Sequence, residues 1–229
     1  MLKPQKKVSK KEIKEDKLVT SYFETRKWIE QNKRIVGYII ATPLIIALLG
    51  FWWYQKSKDW NDQATTMLAK IIHYYDEGRY DMAINGVPQE GTQGLQAIVE
   101  EYGSTKTGQI AKLYLANAYY STKNYDKALE YYDAISVSDQ LVTSTAYAGM
   151  ASCYEIKGEL EKAAAYFEKA AAKNMTIGHA PENLQKSAMN YAAIGKKDKA
   201  VELLKTLKKE FPTSIIARDV DRFIAQYSS

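Results

Sequence analysis

The sequence predicts an all-α chain: one apolar membrane-spanning helix near the N-terminus, then a solenoid of stacked helical hairpins sealed by a closing helix. Three observations carry that prediction. Residues 35–54 (IVGYIIATPLIIALLGFWWY) run for 20 positions without a charge. After residue 60, four short stretches repeat an acid, one residue and then alanine, each with a tyrosine nine positions before the alanine. Residues 213–227 (TSIIARDVDRFIAQY) set Ile215, Ile216, Val220, Phe223 and Ile224 at helical spacing.

Composition narrows the function classes. The chain has 229 residues, 46% of them apolar and 26% charged, which suits one medium domain with appendages. A single cysteine, Cys153, excludes an internal disulfide and any cysteine-cluster metal site. The two histidines, His73 and His179, stand 106 residues apart without ligand-like spacing. The net charge of +5 is uneven: residues 1–36 hold eleven Lys/Arg against five acids, and the remainder holds 21 against 22. The basic character thus belongs to the tail, so no basic stripe on a folded face marks a nucleic-acid binder.

Residues 1–34 read as a basic cytoplasmic arm. Its first 17 residues are Lys-rich and predicted to be disordered at the start. From there Leu18, Val19, Tyr22, Phe23 and Ile29 fall on one side of a helical wheel, with Lys17, Arg26 and Lys27 flanking them. Two readings stand side by side: a short amphipathic helix lying on the inner leaflet, or a solvated topology signal.

The span at 35–54 has the length of a bilayer core, at 1.5 Å per residue and about 30 Å in all. Its aromatic end, Phe51 to Tyr54, suits the headgroup level. Pro43 is tolerable there as a mild kink. The competing readings are a buried core helix and a cleaved signal peptide. Against the first stands the 20-residue charge-free length. Against the second stand the 34-residue charged preamble, the absence of a small-x-small site in residues 55–59, and the lack of a lipobox cysteine. The span therefore reads as an uncleaved signal anchor with a short linker behind it. The excess of basic residues before the span orients the N-terminus to the cytoplasm and exports the chain beyond residue 55.

The repeats occupy residues 60–229. EGRYDMA (77–83), TKNYDKA (122–128), KGELEKA (157–163) and IGKKDKA (194–200) align by eye. Their alanines are Ala83, Ala128, Ala163 and Ala200, preceded nine residues earlier by Tyr74, Tyr119, Tyr154 and Tyr191. Gly78, Gly158 and Gly195 stand five before three of the alanines, where a left-handed residue can end the first helix of a pair. The acid then lies in the first turn of the second helix, beside the positive end of its dipole. The alanine sits where the two helices cross closely. Tyr132, Phe167 and Leu204, four residues on, fill the next gap, while Ala116, Ala151 and Ala188 let the first helix approach. One hairpin cannot bury its apolar face alone, so neighbours stack.

These residues resemble the tetratricopeptide repeat, a 34-residue helix-turn-helix unit. Residues 109–142 and 144–177 match best, and 181–212 carries Pro212 where that family ends its second helix. Tyr147 stands in the third unit where the family has tryptophan. In the first unit, residues 85–91 break the second helix, which is predicted to resume over 92–102. Lys/Glu runs such as 159–169 are read as solvated outer faces with i,i+4 support.

Catalytic constellations are missing. Cys153 lies among small residues as buried filler, neither histidine has an evident acid partner, and the glycines at 86, 91 and 94 lack a phosphate-loop signature. The triplet at 174–176 fits a glycosylation signal only as chance would supply one. The expectation is a non-enzyme with no cofactor, no metal and no small-molecule substrate. What remains is the groove lined by the first helices. The register assigns to it Ile72 and Tyr75, then Leu113, Asn117 and Tyr120, then Ala148, Ser152 and Glu155, and finally Gln185 and Met189. This lining lacks the Lys/Arg set that clamps a terminal carboxylate, so tail capture is not expected.

The whole plan also resembles the ancillary subunits of the bacterial Sec translocon. LVTSYFETRKWIEQNKRIVGY (18–38) is similar to the arm and the start of the span in that family. GLQAIVEEYGSTKTGQIAKLYLANAYY (94–120) is similar to the segment leading into its repeats. The resemblance implies a single-pass protein of the inner membrane with a periplasmic repeat domain. Its expected partners are proteins, namely the translocon and periplasmic chaperones for exported chains. The alternative is a non-catalytic accessory subunit or assembly scaffold of another cell-envelope complex.

Overall fold

A computed structural model describes residues 10–175 and 179–228. Outside them lie the start of the Lys-rich arm, the third residue of the 174–176 triplet and the last two residues of the 144–177 repeat. The chain divides into two units, Met1–Lys56 and Ser57–Ser229.

In the first unit, helix α1 spans Lys10–Gln31, and helix α2, Lys33–Asp76, begins after it. Side chains on α1 are described from Val19 onward, so Lys17 and Leu18 of the apolar stripe lie outside the described side chains. Val19, Tyr22, Phe23 and Ile29 are all exposed, and Arg26 pairs with Glu30 at 3.2 Å. At about 100° per residue Arg26 falls between Tyr22 and Val19, inside the stripe it was expected to flank, so the two-sided character of this helix is weak. Residues 35–54 are helical throughout, Pro43 included. Their large apolar side chains stand outward, from Ile35 at 50% exposure to Trp53 at 72%, and none is buried. That arrangement is wrong for a core helix. Residues 55–59, read from sequence as a linker, are helical.

In the second unit the first helices of the pairs are the residues of α2 after 56, then α5 (Lys106–Ser121), α7 (Gln140–Ile156) and α9 (Ala180–Ala193). Their partners are α3 (Tyr80–Asn85) with α4 (Leu95–Tyr102), then α6 (Tyr125–Asp133), α8 (Leu160–Lys173) and α10 (Lys197–Glu210). From α4 onward each helix packs on its predecessor, the order of a solenoid. The crossing residues behave as their size demands: Ala83, Ala116, Ala128, Ala151, Ala163, Ala188 and Ala200 are wholly buried, and Tyr132, Phe167 and Leu204 fill the gaps beside them.

Each pair closes in the same way. The carbonyls of Tyr74, Tyr119, Tyr154 and Tyr191 accept from the backbone N–H five residues on, at 2.8–2.9 Å. This bond requires a left-handed residue between, supplied by Gly78, Gly158 and Gly195 at φ 74–79° and, in the second pair, by Lys123 at φ 62°. The four tyrosines are therefore fixed by their backbone as much as by their rings. Each ring in turn lies under a cation from the following helix start: Arg79, Lys127, Lys162 and Lys196, 4.5–5.9 Å from the centroid.

The first pair departs from this regularity. Its second helix stops at Asn85, and Gly86–Val87 (β1) pairs antiparallel with Thr92–Gln93 (β2) around a 3-10 turn, Pro88–Glu90. Helix α4 thus resumes at Leu95, three residues later than predicted. Tyr74 donates its hydroxyl to Glu90 at 2.6 Å and clips this insert to the first helix. The C-terminal segment also differs from one continuous helix: a 3-10 turn, Ile216–Asp219, precedes α11, Val220–Ser228. Val220 is wholly buried against the last pair, but Ile215, expected on the sealing face, is 76% exposed.

The charged runs correct a further expectation. Within 159–169 the described ion pairing is Lys162 to Glu159 at i,i+3, and no i,i+4 pair forms there among the described residues. The acids reach across repeats instead. Asp126 meets Lys157, and Glu161 meets Lys196, each at 2.6 Å.

Candidate partner-binding groove

The first helices set the groove residues at intervals of three and four, and their neighbours decide which remain available. Tyr75 and Leu113 are half-buried against the core, and Tyr75 meets Tyr80 and Tyr114 edge-on. Ile72 and Gln185 are also half-buried, whereas Met189 is exposed. Asn117 is engaged on both sides. Its Oδ1 accepts from the Tyr132 hydroxyl, and a hydrogen bond to Tyr75 opposes the rise that burial gives that phenol. Glu155 accepts from Asn190 Nδ2 at 2.6 Å, and Ser152 donates to the Ala148 carbonyl at 3.0 Å.

Four of the ten sequence-predicted residues, Asn117, Tyr120, Ala148 and Ser152, come together on one cleft of about 310 Å³. Ile72, Tyr75, Leu113, Glu155, Gln185 and Met189 are not among its lining. Its floor exists because α7 has no side chain at Gly149, where a Cβ would run into the Tyr132 ring. Burial pushes the Tyr132 phenol far up, so the hydroxyl stays protonated and donates.

Sequence reasoning missed the other wall. Asn183, Glu182, Lys186 and His179 all line the cleft from the start of α9. Glu182 lies between Lys186 at 2.9 Å and His179 at 3.3 Å, the acid partner that the histidine lacked on paper. The hydrogen bond from Lys186 holds the Glu182 carboxyl below its ordinary range. Asn183 is 4% exposed, and its carboxamide has no hydrogen-bond partner among the described residues. Only the helical register of α9 could have flagged it, and there it falls two positions from the expected groove residue.

Cys153 is wholly buried, and burial pushes its thiol up to about 11. His73 lies against the Tyr74 ring, 4.0 Å between centroids. Among the described residues no three His, Cys, Asp or Glu side chains gather to hold a metal.

The tetratricopeptide repeat model matches residues 111–136 and 182–214, the second pair and the fourth. The fold is a tetratricopeptide-like helical solenoid. Two solved structures share the fold, both of nearly identical TPR-like repeats from a Podosopora anserina kinesin light chain. One is 16% identical with a TM-score of 0.51, covering 73% of this chain and 86% of that one. The other, a point-substituted variant of the same protein, is 15% identical with a TM-score of 0.53, covering 73% and 85%. At such identity they establish the fold alone. No curated protein matches the chain at a significant level. The repeat fold supports a protein–protein interaction scaffold, since stacked pairs present a continuous surface rather than a reactive centre.

Proposed function

We propose that the chain is a non-catalytic scaffold held to the bacterial inner membrane by residues 35–54, with its repeats in the periplasm. In this reading it links the Sec translocon to chaperones that receive exported proteins. The observation that carries it is the pairing of a charge-free helical segment, none of its side chains buried, with tetratricopeptide-like repeats. A surface carrying that much apolar area, from Ile35 to Tyr54, is at home in hydrocarbon and costly in water. The similarity of residues 18–38 and 94–120 to the ancillary translocon subunits supports the choice of partner. Holding two partners on one chain raises their effective concentration, which is the whole of the mechanism here.

The test is crosslinking in intact cells, detergent purification, and identification of the attached proteins by mass. Translocon subunits and periplasmic chaperones are the expected result. Stoichiometric recovery of a different envelope complex would transfer the scaffold to that complex. Loss of residues 1–54 from the mature chain, read by its intact mass, would show a cleaved signal and defeat the anchor.

A further inference from the structure

The cleft between α7 and α9 has a pattern of open hydrogen-bonding groups that does not depend on which partners the chain holds. Four hydroxyls line it, and each has already given its proton to the protein. Tyr132 donates to Asn117, Ser144 to the Ala170 carbonyl at 2.8 Å, Thr145 to the Leu141 carbonyl at 2.8 Å, and Ser152 to the Ala148 carbonyl at 3.0 Å. A hydroxyl whose proton is spent keeps only its oxygen lone pairs, so it accepts and no longer donates. Asn183 stands apart from them. Its carboxamide, almost wholly enclosed, makes no hydrogen bond to the described residues. No fully buried side-chain polar atom is left without a partner among the described residues, so what is accessible of this group faces the cleft it lines. It keeps both functions, an acceptor oxygen beside an NH₂ donor.

These groups set the chemistry of the complement. A ligand must bring several donors for the hydroxyl oxygens and at least one acceptor for the Asn183 NH₂. An ionised carboxylate has acceptors only and would face four oxygens that offer it nothing. An ammonium has donors only and would leave the Asn183 NH₂ unmet, with the Lys186 cation in the same wall. The charged groups at the mouth are matched among themselves, Glu182 lying 2.9 Å from Lys186 and 3.3 Å from His179. A peptide has one N–H per residue, and in an extended chain these point alternately to opposite sides. Vicinal hydroxyls meet every condition. Each donates and accepts, and an adjacent pair can engage the oxygen and the nitrogen of one carboxamide. A polyol ring also has an apolar C–H face, for which the Tyr120 ring and Ala148 lie in the wall. The volume of about 310 Å³ lies at the small end of ligand sites, about 300–1,000 Å³, and suits a single ring.

We infer that the α7–α9 cleft binds a neutral polyhydroxy ring of monosaccharide size. Two adjacent hydroxyls of the ring pair with the Asn183 carboxamide, and others donate to the oxygens of Ser144, Thr145 and Ser152. Carboxylates, polyamines and peptides are disfavoured.

The experiment uses the full chain in micelles of a detergent without a sugar headgroup, labelled with ¹⁵N-asparagine, the Asn183 side-chain signal being assigned from its loss in Asn183→Ser. The neutral probes are methyl α-glucopyranoside, methyl α-mannopyranoside and myo-inositol. The comparison probes are citrate, spermidine and the blocked tripeptide acetyl-alanyl-leucyl-alanine methylamide. At least one neutral probe is expected to shift the Asn183 signal saturably and to bind more tightly than every comparison probe. Asn183→Ala should weaken that probe about tenfold, the loss of one well-made hydrogen bond. Thr145→Val keeps the shape and removes one acceptor oxygen. It should weaken the same probe about fivefold while the thermal midpoint stays within a few degrees. Ala148→Leu, which fills the cleft, should abolish binding. An Asn183 signal unmoved by all three neutral probes overturns the inference, as does tighter binding of citrate, spermidine or the tripeptide. Undiminished binding in Thr145→Val also overturns it, since the hydroxyl oxygens would then play no part. None of these outcomes touches the scaffold reading, which stands or falls on the crosslinking in cells.

Discussion

The third helical pair and the first solve the same problem by different means. Between α7 and α8 the join is short: Gly158 takes the left-handed turn, Ala163 allows the crossing, and Phe167 locks the gap. Side chains do the work and the backbone stays regular. In the first pair α3 has six residues, too few to bury a face, and the chain detours through β1 and β2 before α4. There the backbone itself makes the close contacts. A Cβ at Gly94 would meet the Ile84 carbonyl, and one at Gly108 would meet that of Tyr102. Side-chain clips then tie the detour down. Glu90 takes the Tyr74 hydroxyl, and beyond the detour Asn61 Oδ1 of α2 accepts the Thr107 N–H of α5 at 2.9 Å. Regular stacking tolerates variation in everything except size at the crossings, whereas an irregular insert depends on glycine at particular places.

Perturbations of each region should fail differently. Truncating Phe167, 1% exposed, removes the largest wholly buried side chain of the second unit. Phe167→Ala should cost about 3–5 kcal/mol, read as a lower urea midpoint. A second transition appearing in that variant would mean that the repeats on either side unfold separately. Gly94→Ala should cost about 1–3 kcal/mol although it adds one methyl, because the wall it meets is backbone and cannot yield. The same change at Gly91, where a Cβ meets nothing and only the left-handed backbone at φ 63° resists it, should cost about 1 kcal/mol, and a cost there equal to that at Gly94 would remove the contrast.

Alkali should reach the regular region through its buried acids. Burial raises the folded pKa of Tyr132, Tyr120 and Cys153 above their unfolded values. For groups so raised, the stabilising contribution is complete below the unfolded pKa and is lost as pH climbs toward the folded one. Stability should therefore be level through neutrality and fall once pH passes the ordinary thiol and phenol ranges, about 8.5 and 10. Cys153→Ala should move the onset of that fall upward in an alkaline denaturation series. The smallest expected effect is a gain. Lys123 holds a left-handed turn that the other pairs give to glycine, so Lys123→Gly should stabilise by about 0.5–1 kcal/mol. A loss there would show that the lysine side chain contributes more than its backbone costs.

Much of the fold is legible in the sequence because spacing encodes crossing geometry. Ala128, Ala163 and Ala200 are placed by their distance to an acid and a tyrosine, and the structure buries all three. Other features carry no such signature. Lys123 gives no sign that it takes the turn of a glycine, since the demand comes from the Tyr119 carbonyl and not from its own side chain. The two-residue ladder of β1 and β2 is too short for any alternation to declare it. In the groove, register finds Asn117 and Ser152 but cannot tell that both are already hydrogen-bonded. It passes over Asn183, whose importance depends on what its neighbours leave unpaired.

The burial of Cys153 has a practical corollary for anyone wishing to follow this molecule. With its thiol pushed up to about 11, the thiolate fraction at neutral pH is on the order of one part in 10⁴, and no path from solvent reaches it. Any cysteine placed on an exposed site would be the sole reactive handle on an otherwise natural chain. Maleimide dyes, spin labels or crosslinkers could then be positioned one at a time, repeat by repeat, without first engineering the native thiol away.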